Sequence, residues 1–233
     1  MRLEDNLEVE LKLSVIGDDP GALLDEVAEL RQLGSLRLGP TGDHQLRDVY
    51  WDLPDRSLRT RRLSLRLRQI DDRTVFTAKG GTSNSDGLFR RYELEVPATL
   101  DNWIGIRDVL AGEGVDLADD LTGEAPEEWL HRAGLTPTQN RSTRRSVRYA
   151  YANASSHTPL AELALDRTRF DYGKVLVDYW EIEIEQLDGG EDVPRRLGQA
   201  LLDLYADRLE PSSMGKYSRG LAIERELREA GQL

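Results

Sequence analysis

Apolar and polar residues alternate from the start of the chain. Leu7-Glu8-Val9-Glu10-Leu11-Lys12-Leu13 gives a strand one apolar and one charged face. The same period of two returns around residues 46–52, 64–70, 73–79, 88–96, 144–151, 160–170 and 176–187. Pro54-Asp55, Asp71-Asp72, Gly80-Gly81, Asp86-Gly87 and Gly173 punctuate these stretches as turns. About eight strands result, a number that suits a closed antiparallel barrel.

Helical periods interrupt the strands. Asp18-Asp19-Pro20 supplies a cap and a first-turn proline, Leu23, Val27, Leu30 and Leu33 form a stripe, and Gly34 ends it. Shorter helices are expected over 102–110 and 125–133, and a longer one over 193–209 with Leu197, Leu201, Leu204 and Tyr205 along one side. A last helix runs over about 217–230. No flexible linker or solenoid repeat divides residues 1–233, so one domain is expected.

Charge changes this picture. The chain carries 43 acidic and 31 basic side chains, a formal charge of −12 that argues against duplex nucleic acid or an anionic membrane as partner. Its positive charge is concentrated: residues 56–73 hold seven arginines against two aspartates, and 141–148 hold four arginines and no acid. There is no cysteine, and His44, His131 and His157 are scattered, which excludes thiolate and histidine metal sites. The polar start, residues 1–6, shows no signal peptide and no long apolar run follows, so a cytoplasmic protein is expected. Only four of the basic residues are lysines, Lys12, Lys79, Lys174 and Lys216, so the position of each is informative.

Alternation places Glu8, Glu10 and Lys12 on one strand face, Arg66 and Arg68 on another, then Thr77 with Lys79, and Arg91 with Glu93 and Glu95. Glu162, Ala164 and Asp166 share a face, as do Glu181, Glu183 and Glu185. Any single strand of this kind is an ordinary wet sheet face. Together, faces of one charge sign repel themselves and call for partners. With amphipathic helices available to cover the apolar faces, the pattern predicts an α+β fold: an eight-stranded antiparallel barrel with a charged lumen and an apolar exterior packed by helices. Carboxylates without histidine or cysteine suit Mg²⁺ or Mn²⁺, or Ca²⁺, and converging arginines and lysines suit a phosphate chain. Other phosphate motifs fail: Glu210 stands where a Walker glycine belongs before Gly215-Lys216, and Tyr217 follows the lysine. Ser155-Ser156-His157 reads as a turn, and Trp51, Trp103, Trp129 and Trp180 as packing.

The ordered series of motifs resembles the CYTH superfamily, the triphosphate tunnel metalloenzymes. Glu8-x-Glu10-x-Lys12 is similar to its E-x-E-x-K strand, and Tyr50-Trp51-Asp52-Leu53-Pro54-Asp55 to its Y-x-D-T-P-D stretch. Leu65-Arg66-Leu67-Arg68, Thr77-Ala78-Lys79 and Arg91-Tyr92-Glu93-Leu94-Glu95 follow in order. Arg141, Arg144 and Arg145, then Leu165-Asp166-Arg167, the 181–185 strand and Met214-Gly215-Lys216-Tyr217 complete it to about Leu221. The resemblance implies a tunnel hydrolysing a triphosphate with Mg²⁺ or Mn²⁺, inorganic triphosphate being the simplest substrate. Thiamine triphosphatase, nucleoside triphosphatase or adenylate cyclase activity, or a non-catalytic polyphosphate- or nucleotide-binding module, are the alternatives it leaves. It implies metal binding by Glu8, Glu10, Glu93, Glu95, Asp166, Glu181, Glu183 and Glu185, and phosphate binding by Lys12, Arg66, Arg68, Lys79, Arg91, one or both of Arg144 and Arg145, and Lys216. Glu8, Glu10, Lys12, Glu183 and Glu185 would be the catalytic set. The partner would be a small-molecule triphosphate, and the protein a monomer or homodimer. The chain departs from the pattern at Gly80, which is expected to alter a loop, and at Gly215, which removes a hydroxyl.

Overall fold

The computed structural model describes Leu3 and residues 6–233; the remainder of the polar start lies outside the described residues. Eight long strands close on themselves in the order β8-β4-β5-β6-β7-β1-β10-β9, with β9 returning to β8. They are β1 (Leu7–Val15), β4 (Gly42–Asp52), β5 (Ser64–Ile70), β6 (Arg73–Ser85), β7 (Leu88–Pro97), β8 (Thr136–Tyr151), β9 (Ala161–Asp171) and β10 (Leu176–Gln186). Every pairing is antiparallel. Three short strands, β2 (Gln32–Leu33), β3 (Leu36–Leu38) and β11 (Leu209–Pro211), extend the sheet outside this ring.

The hydrophobic core lies outside the barrel, in two layers. Helices α1 (Pro20–Glu29) and α5 (Asp192–Leu204) lay Leu23, Leu24, Val27, Val193, Leu197 and Leu201 over the outward faces of β1, β9 and β10, including Leu11, Leu13, Leu163, Leu165, Ile182 and Ile184. Helices α2 (Ser57–Thr60), α3 (Leu100–Gly112) and α4 (Pro126–Arg132) cover Trp51, Leu65, Leu67, Phe76, Ala78 and Leu94 with Leu58, Trp103, Ile106, Leu110, Trp129 and Leu130. Each buried large apolar side chain contributes roughly 1.5–3 kcal/mol, so these layers hold the barrel while its inside stays polar. Trp51, Trp103 and Trp129 all belong to the second layer, and Trp180 packs against the first.

Two helix ends differ from expectation. α1 starts as predicted, with Pro20 in its first turn and Asp19 accepting from the Ala22 amide at 3.0 Å. It stops at Glu29, because Arg148 donates to the carbonyls of Ala28 (2.7 Å) and Leu30 and takes over the helix end. Leu33 is therefore buried as part of a β2–β3 hairpin. α5 ends at Leu204, and Leu209 instead begins β11, which pairs with β1. Gly80 also proves to lie within β6, followed by an irregularity in the β6–β7 ladder, rather than in a loop. A Cβ there would come within 2.7 Å of Leu63 and 2.9 Å of Leu3, so a larger residue would have to displace the ends of those two side chains.

The last helix, α6 (Lys216–Glu229), crosses one end of the barrel. Gly220 sits so close to Gln139 and Phe170 that a Cβ would approach them to 2.4 and 2.7 Å. Tyr172 donates to the Gly220 carbonyl at 2.6 Å, and Gln139 to that of Tyr217 at 3.1 Å. Among the described residues no helix is long and apolar enough to cross a membrane.

Candidate active site in the barrel lumen

A cavity of about 1380 Å³ occupies the lumen. Strand alternation turns Glu8, Glu10 and Lys12 into it from β1, Arg66 and Arg68 from β5, Lys79 from β6, and Arg91, Glu93 and Glu95 from β7. Arg145 from β8, Glu183 and Glu185 from β10, and Lys216 at the start of α6 complete the lining predicted from sequence. Asp166 and Glu181 lie behind Lys216, fully buried. Arg144 is the exception. On β8 it alternates with the inward Arg145 and points outward, exposed to solvent. Arg148 is also on the outside, where it serves the backbone of α1.

One wall of the lumen is organised by a single carboxylate. Asp48 of β4, 1% exposed, receives Arg68 Nε at 2.7 Å on Oδ1 and Arg68 Nη2 at 2.8 Å on Oδ2. Arg141 Nε and Nη2 reach the same Oδ2 at 2.9 and 2.7 Å, and Arg66 Nη1 stands 3.7 Å away. Burial alone would raise the Asp48 pKa, but Arg68, Arg66 and Arg141 outweigh it and hold the group well below the usual carboxylate range. Arg141 Nη2 also donates to the Tyr50 hydroxyl at 2.9 Å, and its Nη1 has no partner. Such a buried, unused guanidinium donor is what an anion entering the lumen would find. Asp48 escaped the sequence reading because Leu46 and Tyr50 flank it on the same strand face, which therefore reads as apolar.

The opposite wall is rich in acid. Lys12 Nζ donates to Glu10 Oε2 at 2.8 Å and to Glu183, and lies 3.9 Å from Glu181. Burial works against its ammonium, yet Glu10, Glu183 and Glu181 raise its pKa. Lys216 Nζ bridges Asp166 (2.7 Å), Glu183 (2.8 Å) and Glu181, and Arg145 grips Asp166 at 2.8 and 2.6 Å and Glu183 at 2.5 Å. Oxygens of Asp166, Glu181 and Glu183 gather within 4.8 Å of one another, but these three cations already fill the space between them.

The neighbouring acids are less well served. Glu185 lies opposite Glu10 on β1 and opposite Glu162 on β9, and has no cationic partner among the described residues. Burial first, then the charges of Glu8, Glu10, Glu162 and Glu93, push its carboxyl up to about 8. Glu8 accepts from Arg91 and Lys79, and Glu93 from Lys79; burial would raise the Glu93 carboxyl, but Lys79, a hydrogen bond with Glu8, Arg66 and Arg91 together outweigh it and hold it down at about 2. Glu8 is ion-paired with Lys79 and Arg91, and Glu10 with Lys12 and Arg91, whereas Glu162 and Glu185 have no ion pair among the described residues. Carboxylate oxygens gathered in this way are the donors a hard divalent cation takes.

The chain belongs to the CYTH domain family, whose model matches residues 6–218. No curated protein sequence matches it. Among solved structures it is similar to a Hippeastrum candidate adenylyl cyclase described as having a dominant triphosphatase activity, with 18% identity over 97% of both chains and a TM-score of 0.61. It is also similar to a candidate adenylate cyclase from Bacillus halodurans, with 17% identity over 92% of this chain and 98% of that one and a TM-score of 0.50. At such identities these likenesses concern the fold.

Proposed function

We propose that this protein is a divalent-metal-dependent triphosphatase whose first substrate is inorganic triphosphate, cleaved to pyrophosphate and phosphate. The observation that carries the reading is the division of the lumen: preformed guanidiniums around Asp48 face carboxylates that lack cations around Glu185. Membership of the CYTH family and the triphosphatase activity described for the Hippeastrum protein support it. A small phosphate chain also fits a chain of net charge −12, because the cations that would hold it are gathered inside.

In this reading Arg66, Arg68, Arg141, Lys79, Arg145 and Lys216 bind the phosphate oxygens, exchanging their present carboxylate partners for them. Carboxylates released by that exchange, with Glu8, Glu10 and Glu185, hold Mg²⁺ or Mn²⁺, which supplies charge neutralisation at the transferred phosphoryl group. The oxygen of a water joins the terminal phosphorus, the bridging P–O bond breaks with its electron pair leaving on pyrophosphate, and a carboxylate of the 183–185 strand takes the water's proton. Lys12, fixed between Glu10 and Glu183, positions both.

Phosphate release from tripolyphosphate, ATP and thiamine triphosphate, each with Mg²⁺, Mn²⁺ or chelator, tests the proposal. Metal-dependent release fastest from tripolyphosphate is expected. Tight polyphosphate binding in chelator with no turnover of any substrate would instead identify a binding module.

A further inference from the structure

The lumen face of β7 breaks its own charge pattern at the start. Phe89 comes first, followed at alternate positions by Arg91, Glu93 and Glu95. All four line the cavity, and among the described residues Phe89 is the only phenylalanine that does so. The ring is 3% exposed, yet it belongs to neither apolar layer, since both lie on the outward face of the sheet.

Its neighbours explain its place. Phe89 stands directly opposite Glu10 on β1, and the Lys12 ammonium lies over its ring, 5.9 Å from the centroid. Acids surround the rest of that ammonium: Glu10 at 2.8 Å, Glu183, and Glu181 at 3.9 Å. Lys12 is 1% exposed, so carboxylates and ring together leave little of it open to water. A ring face attracts a desolvated ammonium, whereas an aliphatic side chain in the same place would only exclude water.

The backbone holds the ring where it is. The Lys12 amide donates to the Gly87 carbonyl at 2.9 Å, which ties the approach to β7 onto β1. Leu88 turns outward into the first apolar layer beside its cross-strand partner Leu11, and parity then turns Phe89 inward. Arg91, next on the same face, holds Glu8 and Glu10. β7 therefore serves one connected group: Arg91 fixes Glu10, Phe89 covers Lys12, and Lys12 joins Glu10 to Glu183.

We propose that Phe89 is a positioning residue of the site: its ring closes the side of the Lys12 ammonium that the acids leave open and so confines it between Glu10 and Glu183. Lys12 then sets the spacing of two carboxylates instead of gripping phosphate. This rests on the reading of the lumen as a metal-dependent triphosphatase site.

The test combines nuclear magnetic resonance of the ligand-free protein with kinetics on tripolyphosphate, for the wild type, Phe89→Leu and Phe89→Tyr. The chain has only four lysines, so their side-chain signals can be resolved and assigned through the backbone. In the wild type the Lys12 Hε protons should lie upfield of those of Lys79, Lys174 and Lys216, shifted by the ring. Its ammonium protons should exchange with water far more slowly than those of exposed Lys174. Phe89→Leu keeps an apolar cover but no ring face. It should lose the upfield shift, exchange faster, and lower kcat about tenfold with KM changed by less than about twofold. Phe89→Tyr should keep the shift and hold kcat within about threefold of the wild type. Unshifted Lys12 protons in the wild type, or unchanged exchange and kcat in Phe89→Leu, overturn the proposal. A rise in KM at constant kcat also overturns it, because the ring would then face substrate, and so does an equal loss in both variants. If the wild type turns over no triphosphate, the triphosphatase reading fails, while the shift and exchange of Lys12 still decide whether the ring confines it.

Discussion

Along β4, β5 and β8 one carboxylate, Asp48, serves three guanidiniums; along β1, β9 and β10 the acids crowd together and Glu185 has no cation. The first wall is complete in itself and leaves a donor over on Arg141. The second pairs most of its acids but leaves Glu162 and Glu185 without an ion pair among the described residues. A lumen that was merely ion-paired for stability would have no reason to keep its surpluses apart. In the proposed function, separation of the two would let an anion and a metal enter together, each taking up charges that the other releases.

The comparison predicts opposite consequences for acid removal on the two walls. The largest effect is expected at Glu10, where Glu10→Gln should lower metal-dependent kcat by about 1000-fold, corresponding to several kcal/mol of charge stabilisation. Circular dichroism should remain unchanged; unaltered turnover would remove Glu10 from the metal site.

Asp48→Asn strands Arg68 and Arg141 in a buried place. Losing one partner of such a network costs about 3–5 kcal/mol, so Tm should fall by roughly 10 °C. Added tripolyphosphate should then raise the Tm of this variant more than that of the wild type, because phosphate replaces the missing acid. A smaller ligand-induced shift would show that the arginines are not a preformed clamp.

On the acidic wall the sign reverses. Folding raises the Glu185 pKa to about 8, so the folded protein keeps a proton that the unfolded chain loses near 4.5. The associated stability is present below about pH 4.5 and is lost as pH rises toward 8. Glu185→Gln should therefore raise the Tm of metal-free protein at pH 8 by about 2–4 °C, the equivalent of roughly 1 kcal/mol, with the difference shrinking toward pH 4.5. Mg²⁺ should stabilise the wild type more than the variant. A destabilised variant at pH 8 would contradict the account.

The smallest effect is expected at Lys174, the lysine in the exposed β9–β10 turn beside Gly173 (φ 82°). Lys174→Ala should leave tripolyphosphate kcat/KM within about twofold and Tm within the small range of ordinary surface changes.

The barrel was legible because period-two alternation is a local signal and eight strands carried it. Lumen positions on the strands follow from the same parity, as for Lys12 and Lys79, whereas Lys216, which opens a helix, is marked only by the likeness of residues 214–217 to the family's C-terminal motif. Parity failed where one strand carried arginines on both faces: Arg144 and Arg145 are adjacent, and only the neighbouring strands decide which is inside. Helix ends at Glu29 and Leu204 were misjudged because tertiary partners, Arg148 and β1, set them rather than local caps. The Tyr50–Asp55 stretch was recognised as a motif, but its physical role was not legible. Asp52 is the hub of a turn, and that turn is built by amides several residues away.

Storing the apolar layers outside the barrel has a consequence for how such a protein can change. In most enzymes the residues that hold the fold and those that do chemistry share one interior, so altering one strains the other. Here Leu197 and Trp103 face away from every lumen charge. Selection can therefore reshape the tunnel's ligand preference strand by strand while the two outer layers keep the framework standing.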